Sequence, residues 1–247
     1  MKNMKIMILG HNGLLGNMVY LYFKSQDYEI VTTDLRWPTE EFKKFVYDQK
    51  VDFIINCIGM IPQRKPDEYL YEQINYQLPI FLDDLDIRIV HPDTDEGDDT
   101  PYGLSKRMAR EGIYKNTKIL KTSIIGFENG TKFSFLDWFL NSEGSVNGFT
   151  NQFWNGNTTL EWAKWAERLI HEWDSFKKVT TLANPNCYSK YEILTYIRDI
   201  FNKNIEIIPV ESSISKNNCM NGDFITNDLI NQIIVMKYFY NEKNLLI

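Results

Sequence analysis

Lys5-Ile6-Met7-Ile8-Leu9 is an apolar run that stops at Gly10, the length and pattern of a buried parallel strand. The next segment, Leu14 to Lys24, sets Leu15, Met18, Val19 and Phe23 at helical spacing. Tyr28 to Thr33 is β-branched and strand-like. Thr39 to Gln49 carries Phe42, Phe45 and Val46 on one helical face, with Thr39 as N-cap and Glu40 and Glu41 in the first turn. The alternation continues with strands at Val51 to Cys57, Ile87 to His91 and Lys118 to Ile125, and helices at Glu68 to Asp83 and Tyr102 to Tyr114. Regular βαβ alternation predicts an α/β fold built on a doubly wound parallel sheet, a Rossmann fold.

Past Gly126 the pattern loosens. Phe133 to Leu140, Leu160 to Trp173 and Lys190 to Asn202 read as helices, and Val179 to Ala183 and Ile205 to Val210 as strands. The expected organisation is a dinucleotide-binding core over 1–126. The second half, 127–247, is expected to form a small substrate lobe that adds late strands to the core sheet.

Composition narrows the function. The 247 residues are 43% hydrophobic and 24% charged, which excludes disordered and fibrous classes. A net charge of −6 argues against nucleic acid as a partner. No apolar run reaches membrane-spanning length, and the first residues lack the features of a signal peptide, so a cytoplasmic protein is expected. Cys57, Cys187 and Cys219 are far apart with no C-x-x-C pair, which predicts neither a disulfide framework nor a zinc site and fits a reducing compartment. His11, His91 and His171 are too dispersed for a metal site. Trp162, Trp165 and Trp173 lie on one helix and are expected in the core.

Two motifs carry chemistry. Gly10-His11-Asn12-Gly13-Leu14-Leu15-Gly16 follows a strand and opens a helix. There Gly10 allows the tight turn, Gly13 lets backbone approach a pyrophosphate, and Gly16 permits close helix packing, with the anion on the helix N-terminus. Asn12, Leu14 and Leu15 belong to the same cradle. Asp34 closes the second strand where a carboxylate meets an adenine ribose. Arg36, two residues on, is either a solvated charge or the partner of a 2′-phosphate, and tilts the expectation to NADP, with NAD as the alternative. The second motif is Tyr102-Gly103-Leu104-Ser105-Lys106, which sets Tyr102 and Lys106 on one helix face. A neighbouring ammonium is expected to lower the phenol pKa and make Tyr102 a usable proton donor or acceptor.

With Asn56-Cys57-Ile58-Gly59 ending the third strand and Asn75 in the next helix, these motifs resemble the extended short-chain dehydrogenase/reductase family. Lys121 to Gly126, Phe135 to Leu140, Val146 to Asn151 and Thr158 to Ala163 are most similar to its branch of dTDP-4-dehydrorhamnose reductases and related nucleotide-sugar 4-reductases. The resemblance implies a nicotinamide cofactor held by Gly10 to Gly16, Asp34 and Cys57 to Gly59. It also implies a nucleotide-sugar substrate, with Tyr102 protonating a keto oxygen, Lys106 as its electrostatic partner and Thr94 supplying a second hydroxyl. Ser123, Asn151 and Trp154 are the candidate substrate contacts, and a homodimer is compatible. Only seven residues separate Thr94 from Tyr102, fewer than in the relatives, so Thr94 is expected to be displaced. The acidic run Asp93 to Asp99 reads as a solvated loop. An epimerase or dehydratase of the same family, and a non-catalytic cofactor-binding subunit, are the alternatives.

Overall fold

The computed structural model describes residues 4–97, 99–113, 115–128, 130 and 134–244. Phe133 and Tyr114, the predicted ends of two helices, and Asp98 in the acidic run lie outside them.

In chain order the first half reads β1 (Lys5–Leu9), α1 (Leu14–Lys24), β2 (Glu29–Val31), α2 (Glu40–Asp48), β3 (Phe53–Asn56), α3 (Glu68–Tyr71), a π-helical stretch Glu72–Gln77, α4 (Leu78–Asp83), β4 (Arg88–Asp93), α5 (Pro101–Gly112) and β5 (Thr117–Lys121). The second half adds β6 (Ile124–Ile125), α6 (Phe135–Asn141), β7 (Ser145–Phe149), β8 (Gln152–Trp154), β9 (Asn157–Thr158), α7 (Thr159–His171), β10 (Val179–Ala183), β11 (Tyr188–Ser189), α8 (Lys190–Phe201), β12 (Glu206–Val210), β13 (Lys216–Asn218), β14 (Phe224–Ile225) and α9 (Leu229–Asn244). The predicted Glu68 to Asp83 helix is thus interrupted. Pro79 has no N–H for the carbonyl four residues back and its ring crowds that carbonyl, and the turn before it widens into the π stretch carrying Asn75.

Seven parallel strands form the central sheet in the order β14-β10-β5-β4-β3-β1-β2. The expected Rossmann-type sheet is present, and the second half contributes β10 and β14. Predicted strand Ile205 to Val210 goes elsewhere, pairing as β12 with β7 in a separate two-stranded sheet. Ile6, Ile8, Leu120 and fully buried Trp162 pack one face of the sheet against α1 and α7, while Met7, Leu9, Ile54 and Leu78 pack the other against α2 and α4. Trp165 and Trp173 pack on the first cluster, so the tryptophan stripe is core, as the spacing predicts.

α9 has no counterpart in the sequence reading. Leu229, Ile233 and Met236 are fully buried on one side, while Val235 and Tyr238 are exposed on the other, so apolar residues all round hide the helical period. The helix is docked by a buried polar knot. Asn157 Nδ2 donates to Thr122 Oγ1 at 2.8 Å, and its Oδ1 accepts from Gln232 Nε2 at 2.9 Å and Thr226 Oγ1 at 2.5 Å.

The cysteine expectation is overturned. Cys187 and Cys219 form a disulfide, with their Cα atoms 6.0 Å apart. β8 explains it: Tyr188 and Asn218 pair with the same residue, Trp154, from opposite sides, so the cysteines next to them meet beyond the strand end. Spacing along the chain does not reveal a pairing that a three-stranded sheet creates, and the cysteines no longer argue for a reducing compartment. No helix among the described residues is long and apolar enough to cross a membrane.

Asn157→Ala removes four buried hydrogen bonds at once and is expected to cost ~2–4 kcal/mol. Urea unfolding checks this; an unchanged midpoint contradicts the role given to the knot.

Candidate active site

All seven strands of the parallel sheet end at one edge, and the order reverses between β1 and β3. The loops leaving those two strands diverge there and open a crevice. At this place Gly10 takes φ +79° and turns the chain out of β1 into α1, and Gly13 is the N-cap. A Cβ on Gly16 would lie 2.1 Å from the Gly10 carbonyl oxygen, so this position admits only hydrogen. A Cβ on Gly13 would lie 3.4 Å from the same atom, an ordinary contact. The turn delivers the unpaired first-turn amides of α1 to the crevice, with Gly13, Leu14 and Leu15 on the wall of a cavity of about 360 Å3. Cys57, Ile58 and Gly59 line the facing side.

Asn75 fastens this side. From the π stretch its Oδ1 accepts from the Met60 amide at 2.8 Å, and its Nδ2 donates to the Met60 carbonyl at 3.0 Å and to Ser105 Oγ at 3.2 Å. One buried amide therefore ties the loop after β3 to the helix that carries Tyr102 and Lys106.

At the rim, Asn12 Nδ2 donates to Asp34 Oδ1 at 2.9 Å, which hangs the exposed carboxylate over the glycine turn. Arg36 is exposed one turn further on, its carbonyl accepting from the Thr39 amide and hydroxyl.

Tyr102, Lys106 and Thr94 line the same cavity. The short loop has not carried Thr94 out of the cavity that Tyr102 lines. The expectation for the phenol is corrected. Burial pushes Tyr102 up to about 12, and Asp93, Asp95 and Glu96 add to the rise, while the nearby Thr94 hydroxyl opposes it. Lys106 is itself buried, and burial drives its pKa below the usual lysine value against the pull of Asp93. Both groups are desolvated together, a condition that proximity along a helix does not reveal.

The acidic run is not a free solvated loop. Asp93 is buried and bonds to Arg110 Nη1 at 2.6 Å. Asp95 accepts from Asn218 Nδ2 at 3.1 Å, and Glu96 pairs with Lys216 Nζ at 3.1 Å. No sequence signal marks Asn218 or Lys216, because they arrive from β13 across the lobe.

Of the candidate substrate contacts, Ser123 lines the cavity. Asn151 does not join it: its amide bridges the Ser212 carbonyl at 2.8 Å and the Ser212 N–H at 2.9 Å, joining loop to loop inside the lobe. Trp154 packs on the lobe core, its ring so close to Gly156 that a Cβ there would fall 2.2 Å from Cζ2. Both are half-buried and neither lines this cavity. Trp162, read only as core, reaches the cavity floor. No cluster of metal-ligating side chains occurs among the described residues.

A glycine turn closed to Cβ at Gly16, first-turn amides and a buried ammonium lining the same cavity suit a dinucleotide phosphate and a nicotinamide ribose. The crevice and sheet define a Rossmann-type dinucleotide-binding fold. Among solved structures, the chain is similar to a dTDP-4-dehydrorhamnose reductase from Clostridium acetobutylicum at 17% identity and TM-score 0.78, covering 96% of this chain and 100% of that one. It is similar also to the dTDP-4-dehydrorhamnose reductase of Bacillus anthracis in complex with NADP, at 15% identity and TM-score 0.81, over 97% and 99% of the two chains. A third is a GDP-6-OMe-4-keto-L-xylo-heptose reductase from Campylobacter jejuni, at 11% identity and TM-score 0.75, over 98% and 99%. No family model matches the chain, and no curated protein does.

Gly16→Ala is expected to abolish NADPH binding and lower stability by roughly 1–3 kcal/mol through overpacking, whereas Gly13→Ala leaves stability within about 0.5 kcal/mol. Nicotinamide fluorescence titration and thermal melts compare the two; equal behaviour contradicts the cradle.

Proposed function

We propose that the protein reduces the 4-keto group of a nucleotide-linked 6-deoxysugar with NADPH. The observation that carries this reading is that Thr94, Tyr102 and Lys106 line the same cavity as the amides of the glycine turn. The reductases of the same fold, one of them with NADP bound, support it. The first-turn amides of α1 hold the pyrophosphate, Asp34 takes the adenine ribose, Arg36 meets the 2′-phosphate, and Cys57 to Gly59 with Lys106 flank the nicotinamide side. When bound, the nicotinamide supplies hydride to the keto carbon.

The chain's own part is to handle the proton. A phenol with pKa near 12 is fully protonated at neutral pH, which is the form a reduction needs. As charge grows on the keto oxygen, Tyr102 Oη gives up its proton, and the Thr94 hydroxyl turns its one proton from the long 3.4 Å contact with Asp95 Oδ1 to the same oxygen. Lys106 offsets the phenolate left behind. Ser123 lies on the wall available to the sugar.

The test is incubation with NADPH and a dTDP-linked 4-keto-6-deoxyhexose while following absorbance at the nicotinamide band. Oxidation is expected, with Tyr102→Phe slowed by roughly 100-fold or more. Binding without oxidation, unchanged in Tyr102→Phe, sinks the enzyme reading.

Because Tyr102 keeps its proton and Lys106 ionises below the usual lysine range, the reductive rate is expected to be flat around neutrality. It falls on the alkaline side as Lys106 loses charge. A pH–rate profile checks this, and a rate that rises with alkaline pH contradicts it. Arg36→Ala is expected to lower the ratio of NADPH to NADH affinity about tenfold through loss of one charge-assisted contact. An unchanged ratio removes Arg36 from the site.

A further inference from the structure

Seven residues separate Thr94 from Tyr102, and a loop this short has little of its own to hold the Thr94 hydroxyl. The holding comes from outside. Thr94 Oγ1 accepts from the Glu96 amide at 3.2 Å and donates to Asp95 Oδ1 at 3.4 Å. The other Asp95 oxygen is gripped by Asn218 Nδ2 at 3.1 Å, and Glu96 by Lys216 Nζ through both oxygens, at 3.1 and 3.3 Å. Both grips come from β13, more than a hundred residues away in the chain.

β13 is in turn clamped at its two ends. At the start, the Lys216 amide donates to the Asn151 carbonyl at 3.1 Å. At the finish, Asn155 and Met220 exchange hydrogen bonds of 2.8 and 2.9 Å, and Cys219 is bonded to Cys187 beside β11. Between the clamps, β13 has three residues of parallel pairing to β8, and Lys216 and Asn217 are exposed. Such a strand has few buried contacts of its own, so its position depends on its ends.

We infer that β13 is a strap over the loop that carries Thr94. Lys216 and Asn218 act as positioning residues for the Thr94 hydroxyl, and the Cys187–Cys219 disulfide locks the strap, so that turnover depends on the oxidation state of this pair. Cys187 is exposed and open to a reductant. With a phosphine, the S–S bond breaks, the phosphine supplies the electron pair and takes oxygen from water as phosphine oxide, and the two sulfurs leave as Cys187 and Cys219 thiols. The finish of the strap is then held by the Asn155–Met220 hydrogen bonds alone and opens more often, and each opening lets Asn218 release Asp95 and frees the Thr94 rotamer. Tyr102 and the cofactor cradle do not move.

The catalytic half of this inference rests on the reading of the protein as a 4-keto reductase, and the test separates the two. The full chain is compared before and after reduction with tris(2-carboxyethyl)phosphine, alongside a Cys187→Ser/Cys219→Ser double variant, Asn218→Ala, Lys216→Met and Lys216→Arg. Two quantities are read: kcat and the KM for NADPH with a dTDP-linked 4-keto-6-deoxyhexose, and hydrogen exchange of the peptide containing the Glu96 amide. Reduction is expected to lower kcat about tenfold with KM for NADPH unchanged, and to speed Glu96 exchange by a similar factor, the size of one lost hydrogen bond. The double variant starts at the reduced values and ignores the phosphine, Asn218→Ala and Lys216→Met behave alike, and Lys216→Arg restores kcat. If thiol titration shows the pair fully reduced while kcat and Glu96 exchange stay unchanged, the strap is refuted. If no variant turns over substrate but Glu96 exchange still responds to reduction, the strap stands and the 4-keto reading fails.

Discussion

The reversal of strand order between β1 and β3 is the constraint on which this molecule's chemistry depends. A parallel sheet sends all its strand ends to one edge, and only where neighbouring loops diverge does it leave a cleft unfilled by its own connections. Here the loop after β1 is the glycine turn and the loop after β3 is Cys57 to Gly59, so the two walls of the cleft come from adjacent strands. β4, on the far side of β3, ends in Asp93 and leads directly into Thr94 and then α5. Thr94, Tyr102 and Lys106 thereby share one cavity with Gly13, Leu14 and Leu15 of the glycine turn.

Such a cleft is useful only if its walls keep their spacing, and buried polar groups set that spacing. Asn75 bridges the β3 loop to α5, and the Asp93–Arg110 pair anchors the end of β4 to the same helix. Each has a high cost of breakage in a desolvated place, which gives geometric definition more than net stability. The same desolvation governs Tyr102 and Lys106. It keeps the phenol protonated and makes Lys106 the group that loses its proton first as pH rises.

Much of this was legible in the residues. The 3.6 period recovers α1, α2, α5 and α7 because each buries one face, and β1 is recovered as an unbroken apolar run because both its faces are buried. The glycine turn and the Tyr102–Lys106 pair are read from spacing because backbone geometry forces them together. What escaped was whatever a distant segment supplies. α9 hides because it is apolar on all sides, and Asn151 and Trp154 look available until the loops and strands that occupy them are seen. Disulfide partners 32 residues apart meet only beyond the end of β8. Thr94 was expected to be displaced on loop length alone, whereas Asn218 and Lys216, unmarked by any motif, hold that loop from the lobe.

The account's central claim is that hydride from the nicotinamide arrives at a sugar carbon while this cavity delivers the proton. Single-turnover reaction with NADPH deuterated at the transferring position of the nicotinamide, followed by mass and NMR analysis of the sugar, tests it most directly. The account predicts deuterium on carbon 4 of the product and none there when unlabelled NADPH is used in deuterated water. Full occupancy of the protein by NADPH with no deuterium reaching any sugar carbon would contradict it.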